Sequence, residues 1–291
     1  MIERTHVDGF ALDHVLFAGG ALPRLRATFE AYGMPATYGG VHGNGITQNA
    51  LIGFDDGSYI ELLALCDGVD TDTVAPRRDA YLRNDLGPCG WALEVDDVAV
   101  AADRFTARGI SVEGPVTLGR DLPDGSRTEW QLVYLGDADT EPGAALPFLI
   151  EDVTPRKRRI EPTDGVTGSE LVGTAGVVVG VPDRAAAVEQ FRTAFDLPAS
   201  VETHDEELGA TLDVFADGTL ALASATEGWL ADRTARYGTL VCAVLLGTTD
   251  FERSVARCSD TSHETWPGTR RVGWLPPADG VGGRVGVVDL T

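Results

Sequence analysis

Residues 41–63 read VHGNGITQNALIGFDDGSYIELL. Two apolar runs flank the Asp-Asp-Gly turn at 55–57, the pattern of a β-hairpin. Side chains alternate across a strand, so Ile60 and Leu62 share one face while Tyr59, Glu61 and Leu63 share the other. A carboxylate flanked by large apolar groups on a sheet face belongs either to a wet edge or to a lined cavity. Just upstream, His42 lies among glycines, and Thr47 and Asn49 stand at the mouth of the hairpin.

The hairpin closes a longer unit. Before it come the strand ALDHVLFAGG (11–20), the helix LPRLRATFEAYG (22–33) and the extended stretch ATYGGVH. Leu22, Leu25, Phe29 and Tyr32 recur at helical spacing, and Gly33 is a stop. The order β-α-β-β-β then recurs weakly, which predicts four modules at 10–66, 88–153, 171–226 and 238–291. The second opens with WALEV (91–95) and the helix DVAVAADRFTARG (97–109). The third opens with GTAGVVVGV (173–181) and DRAAAVEQFRTAF (183–195), and the fourth with TLVCAVLLG (239–247) and DFERSVAR (250–257). The fourth has only a Gly/Pro-rich middle before its closing strand. This is an α+β chain with an N-terminal domain over 1–154, a linker over 155–170 and a C-terminal domain over 171–291.

Charge bounds the partners. Asp and Glu number 45 against 23 basic residues, a net charge of -22, and Lys157 is the single lysine. Such acidity costs stability unless salt screens it, so a salt-accumulating halophile is the expected source. It argues against nucleic acid, whose phosphates need a basic surface. The one basic cluster, PRKRR at 155–159, is expected to pair with nearby carboxylates. No apolar run is long enough to span a bilayer and no signal peptide is recognised, so a cytoplasmic protein is expected. Cys66, Cys89, Cys242 and Cys258 lack CxxC spacing, and no GxSxG, P-loop or GxGxxG points to a nucleotide cofactor.

The element order, the GFDDGSYIELLAL hairpin and the DHVLFA strand resemble the vicinal oxygen chelate superfamily. Within it, HGNGITQN and GRDLPDGSRTEW resemble the glyoxalase-like domain group. The resemblance covers residues 11–152, whereas 171–291 share only the repeat. It implies two modules closing their curled sheets around one cavity, so that the chain forms two paired domains. It also implies a divalent metal (zinc, nickel, manganese or iron) held by a His on a first strand and a Glu on a last strand of each module.

His14 and Glu61 stand at those positions in the first module. The second has Trp91 or Ala92 and, near the other place, Leu149; Glu151 shares the face of Leu149 and is expected to reach in. His42 offers another nitrogen or an acid–base group, or else caps a turn. Glu61 is alternatively a metal-free base whose pKa is raised by an apolar wall. For the substrate, Arg120 is expected to hold an anion, Trp130 to wall the cavity, and Asn49 and Thr47 to orient a carbonyl. The implied activity is that of an isomerase, lyase or dioxygenase acting on a small oxygenated metabolite, in a monomer or homodimer. The alternative is a metal-free binding protein of the bleomycin-resistance type, and the C-terminal half reads as a degenerate copy.

Overall fold

A computed structural model describes residues 3–69, 80–83, 87–122, 124–136, 145–215, 218–256, 263–267, 270–277 and 281–291; Cys258 and Pro123 of the PDG turn lie outside them. The strands gather into two sheets. The first sheet contains β1 (His6–Val7), β2 (Phe10–Ala18), β3 (Thr37–Val41), β4 (Thr47–Gly53), β5 (Tyr59–Leu65), β6 (Gly87–Glu94), β7 (Val112–Asp121), β8 (Arg127–Leu135) and β9 (Phe148–Asp152). Its order is β3-β4-β5-β2-β6-β9-β8-β7, with β1 on β2. The second contains β10 (Leu171–Gly180), β11 (Val201–Asp205), β12 (Ala210–Phe215), β13 (Leu220–Ser224), β14 (Leu240–Thr248), β15 (His263–Trp266), β16 (Arg270–Trp274) and β17 (Arg284–Asp289). Its order, β11-β12-β13-β10-β14-β17-β16-β15, repeats that of the first.

Each sheet joins two modules through their opening strands, antiparallel in β2–β6 and β10–β14. Within each module the opening and closing strands run parallel. The pairing of the first module with the second, and of the third with the fourth, is thus one of backbone hydrogen bonds. Helices α1 (Leu22–Ala31), α2 (Val98–Ala107), α3 (Arg184–Phe195) and α5 (Phe251–Val255) follow the opening strands. Asp97, Asp183 and Asp250 cap the last three by accepting from backbone N–H groups of their first turns. Three elements of the C-terminal half exceed the sequence expectation. Helix α4 (Gly228–Tyr237) precedes the fourth module, and β15 and β16 occupy its Gly/Pro-rich middle.

Alternation decides what each face does. Ile60 and Leu62 of β5 are buried with Val15 and Phe17 of β2 against Leu25 and Phe29 of α1. The same cluster continues through Phe105 and Trp91 to Phe191, Phe195, Val177 and Val244, so both sheets share one apolar core. Tyr59, Glu61 and Leu63 face the concave side of the first sheet.

That sheet curls until its ends approach each other. His42, just past β3, forms an isolated bridge with Arg120 of β7, and Gly43 N donates to Gly119 O at 3.0 Å. The segment after β9 then packs on the outside: Thr163 N donates to Gly53 O at 3.0 Å, and Gly53 N to Thr163 Oγ1 at 2.9 Å.

Candidate functional site

The concave face encloses a cavity of about 530 Å3. The first module lines it with His14, His42, Thr47, Asn49, Tyr59 and Glu61, and the second with Arg120, Trp130, Tyr134, Phe148 and Ile150 among others. One side is therefore polar and the other chiefly apolar.

His14 owes its place to a bulge. Between the pairs Leu12↔Leu93 and His14↔Ala92 the register of β2 shifts, and Asp13 is the extra residue. Asp13 and His14 are both buried, with Asp13 Oδ1 2.5 Å from His14 Nδ1. Burial alone would raise the Asp13 carboxyl, but Arg159 and Arg156 hold it well below the usual carboxylate range. Arg159 grips it with two donors, Nη1 to Oδ1 at 2.9 Å and Nη2 to Oδ2 at 3.1 Å, and Arg156 bonds the same Oδ2. An ionised carboxylate can only accept, so the proton of this contact sits on His14 Nδ1. Its other nitrogen, Nε2, lies 3.6 Å from Glu61 Oε2. Tyr59 stacks on the imidazole at 4.4 Å between centroids.

Glu61, 7% exposed, is the hub of the polar side. Asn49 Nδ2 donates to Oε1 at 2.7 Å, and His42 Nε2 lies 3.4 Å from the same oxygen. Thr47 Oγ1 pairs with His42 Nδ1 at 2.8 Å. Desolvation pushes the Glu61 carboxyl up, but His42, His14 and Asn49 outweigh it and bring it down to about 2. This overturns the expectation of a carboxylate raised by its apolar wall, because that wall is only half of the surroundings. Glu61 stays ionised and is a poor proton acceptor.

Arg120, 3% exposed, donates from Nη1 to Asn49 Oδ1 at 3.3 Å and from Nη2 to Arg159 O at 2.8 Å. The glycines of YGGVHG make room for it. A Cβ on Gly39 would lie 2.9 Å from Arg120 Nη1 and closer still to Asn49 Oδ1. Gly40, at φ +125, packs against Asp121 O and the Arg120 stem.

Glu151 does not join the cavity. It shares the face of Leu149, which is in the core, and its Oε2 accepts from Val98 N at 2.9 Å, at the start of α2. By strand register, His14 is matched in the second module by Ala92, and Glu61 by Ile150. The partners that sequence reasoning missed are Asp13, Tyr59 and Arg159. An aspartate inside FALDHVLFA demands a buried counter-charge, and the PRKRR cluster was the available one.

The paired metal set that the resemblance implies is incomplete in this chain, because among the described cavity residues only the first module supplies ligand-type side chains, His14, His42 and Glu61. Ala92 and Ile150, at the matching places of the second module, offer no ligand, and Asn49 Nδ2 already bonds Glu61 Oε1. Among the described residues no three His, Cys, Asp or Glu side chains are arranged to hold a metal ion. No helix among them is long and apolar enough to cross a membrane.

The same architecture occurs in solved structures. A hypothetical protein from Staphylococcus aureus superposes with a TM-score of 0.65 at 17% identity, covering 96% of this chain and 99% of that one. A mutant of 4-hydroxymandelate synthase from Streptomyces coelicolor gives 0.62 at 12% identity over 96% and 92%. A xylose isomerase-like TIM barrel/4-hydroxyphenylpyruvate dioxygenase fusion protein gives 0.55 at 15% identity over 98% of this chain and 49% of that one. At these identities the likeness is one of fold. No curated protein matches the sequence. The family model described as "Glyoxalase-like domain" matches residues 12–195, from the strand of His14 through the Arg159 segment to the end of α3. The chain belongs to the glyoxalase-like domain family, on the fold of the vicinal oxygen chelate superfamily.

Proposed function

We propose that this chain is an enzyme that moves a proton on a small oxygenated metabolite, chemistry of the isomerase or lyase type carried out by its own side chains. The observation that carries the reading is the Asp13–His14 pair. Asp13 accepts the hydrogen bond from Nδ1–H and leaves the Nε2 lone pair facing the cavity. In the proposed step, His14 Nε2 accepts a proton from the carbon beside a substrate carbonyl. The electron pair of that C–H bond forms the C=C bond of an enolate, and the π pair of the carbonyl moves onto its oxygen. The positive imidazole is then held between the anions of Asp13 and Glu61, while Asn49 and Arg120 face the oxygen that gains charge. His42, on the other oxygen of Glu61, is the group placed to return a proton.

A second reading has one observation behind it: Leu132, Phe148 and Ile150 make half of the cavity apolar, as suits a metal-free binding protein of the bleomycin-resistance type. Both readings place a small molecule in the cavity of a protein whose acidity suits a salt-rich cytoplasm. NMR of α-oxo and β-oxo carboxylates in D2O with chelator present tests the proposal. The expected result is protein-dependent deuterium exchange that slows about a hundredfold or more in His14→Gln. Exchange that needs added metal would sink the metal-free mechanism. Binding without exchange would leave the binding protein.

A further inference from the structure

Three arginines converge behind and beside His14, and two of them have carboxylate partners. Arg159 holds Asp13 and Asp152, and Arg156 holds Asp13 and Glu94. Arg120 differs. Among the described residues no carboxylate lies within ion-pair distance of it, its two partners are neutral oxygens, and its Nε is buried with no hydrogen-bond partner. A guanidinium that is 3% exposed and opens onto the cavity is poorly hydrated, and a buried charge with no carboxylate in ion-pair contact favours a counter-ion there. The nearest anion of the cavity, Glu61, is already engaged by Asn49 and the two imidazoles.

The wall away from these polar groups is apolar. Phe148 stands edge-on to His14 at 5.3 Å between centroids, and Tyr134 packs on Phe148 at 5.9 Å. Leu16, Leu63, Leu132 and Ile150 complete that side. We infer that the ligand of this cavity is an aryl or branched-alkyl monocarboxylate, its carboxylate on Arg120 and its apolar body against Phe148 and Tyr134. A planar carboxylate matches the guanidinium fork. A second anionic group would meet no further unpaired cation there, and it would face Glu61. The inference rests on the proposed function for the identity of the site and adds the class of molecule that fills it.

Phenylacetate, phenylacetamide and acetate are unreactive probes for calorimetric titration. Phenylacetate should bind the wild-type protein at least about tenfold more tightly than its neutral amide, and more tightly than acetate. Arg120→Gln should bring the acid to the level of the amide. The comparison of acid with amide on wild-type protein stands even if that variant fails to fold. Equal binding of acid and amide, no binding of either, or an acid preference that survives Arg120→Gln would overturn the inference. His14→Gln separates it from the proposed reaction. Acid preference without deuterium exchange in wild type sinks proton transfer alone, and exchange without acid preference sinks the carboxylate alone.

Discussion

The concave faces of the two sheets share one strand order and hold opposite contents. The register that sets Leu16 beside Glu61 in the first sheet sets Val178 beside Ala221 in the second, and the place of His14 falls to Gly176. Where the first sheet keeps a cavity, the second is filled by Leu212, Leu245, Trp266 and Trp274. Both indoles donate to Asp205 Oδ2 at 3.1 Å, and Leu208 N donates to Oδ1 at 2.9 Å, so this buried carboxylate serves as a fastener. Asp13, equally buried, is held instead by two guanidiniums and orients an imidazole. The difference teaches that the fold tolerates either a packed or an open concave face, and that a few side chains of unlike size and charge decide between them.

The largest expected effect comes from reopening the packed face. Trp274→Ala should destabilise the protein by about 3–5 kcal/mol in denaturant unfolding, because it leaves a void and removes one donor from Asp205. A much smaller loss would mean that the second concave face is not tightly packed.

Removing the charge beneath the open face should cost nearly as much. Asp13→Asn removes the buried carboxylate that Arg156 and Arg159 share, leaving Arg156 with Glu94 and Asp152 and Arg159 with Asp152, and should cost about 3 kcal/mol. It should also shift the His14 nitrogen NMR signals away from the Nδ1–H form, a change that loss of packing alone would not produce.

Glu61 sets a pH dependence. Its folded carboxyl sits at about 2 against an ordinary 4.5. A folded value below the unfolded one favours the folded state at every pH above about 4.5, and that gain disappears as pH falls through about 2. The stability of wild type relative to Glu61→Gln should therefore fall by on the order of 3 kcal/mol across that window. A flat difference would mean that His14 and His42 do not hold the carboxylate down.

Gly39→Ala should have the smallest effect on stability, about 1–3 kcal/mol, because the new methyl must displace Asn49 and Arg120. Its effect on phenylacetate binding should exceed its effect on stability, and the reverse would separate the glycine from the site.

Much of the site was legible in the amino-acid order. The repeat and the period-two pattern of YIELLAL put Glu61 on the face of Tyr59 and Leu63, and His14, His42, Thr47, Asn49, Arg120 and Trp130 all line the cavity. Glu151 failed for a reason within the same rule. It shares a face with Leu149, and that face proved to be the core. Helix α4 and strands β15 and β16 were missed where no repeat guided the reading.

The sequence by itself determined the order of elements, the alternation of their faces and the acidity of the chain, since each depends on neighbours a few residues apart. Only the tertiary structure decided that His42, His14 and Asn49 lower the Glu61 carboxyl, that Asp13 orients His14, and that Arg159 ties Asp13 to Arg120. Those facts depend on the charges that sheet closure and the segment after β9 bring within 3 to 4 Å from far along the chain. Electrostatic interaction falls with distance in space and is indifferent to distance in sequence.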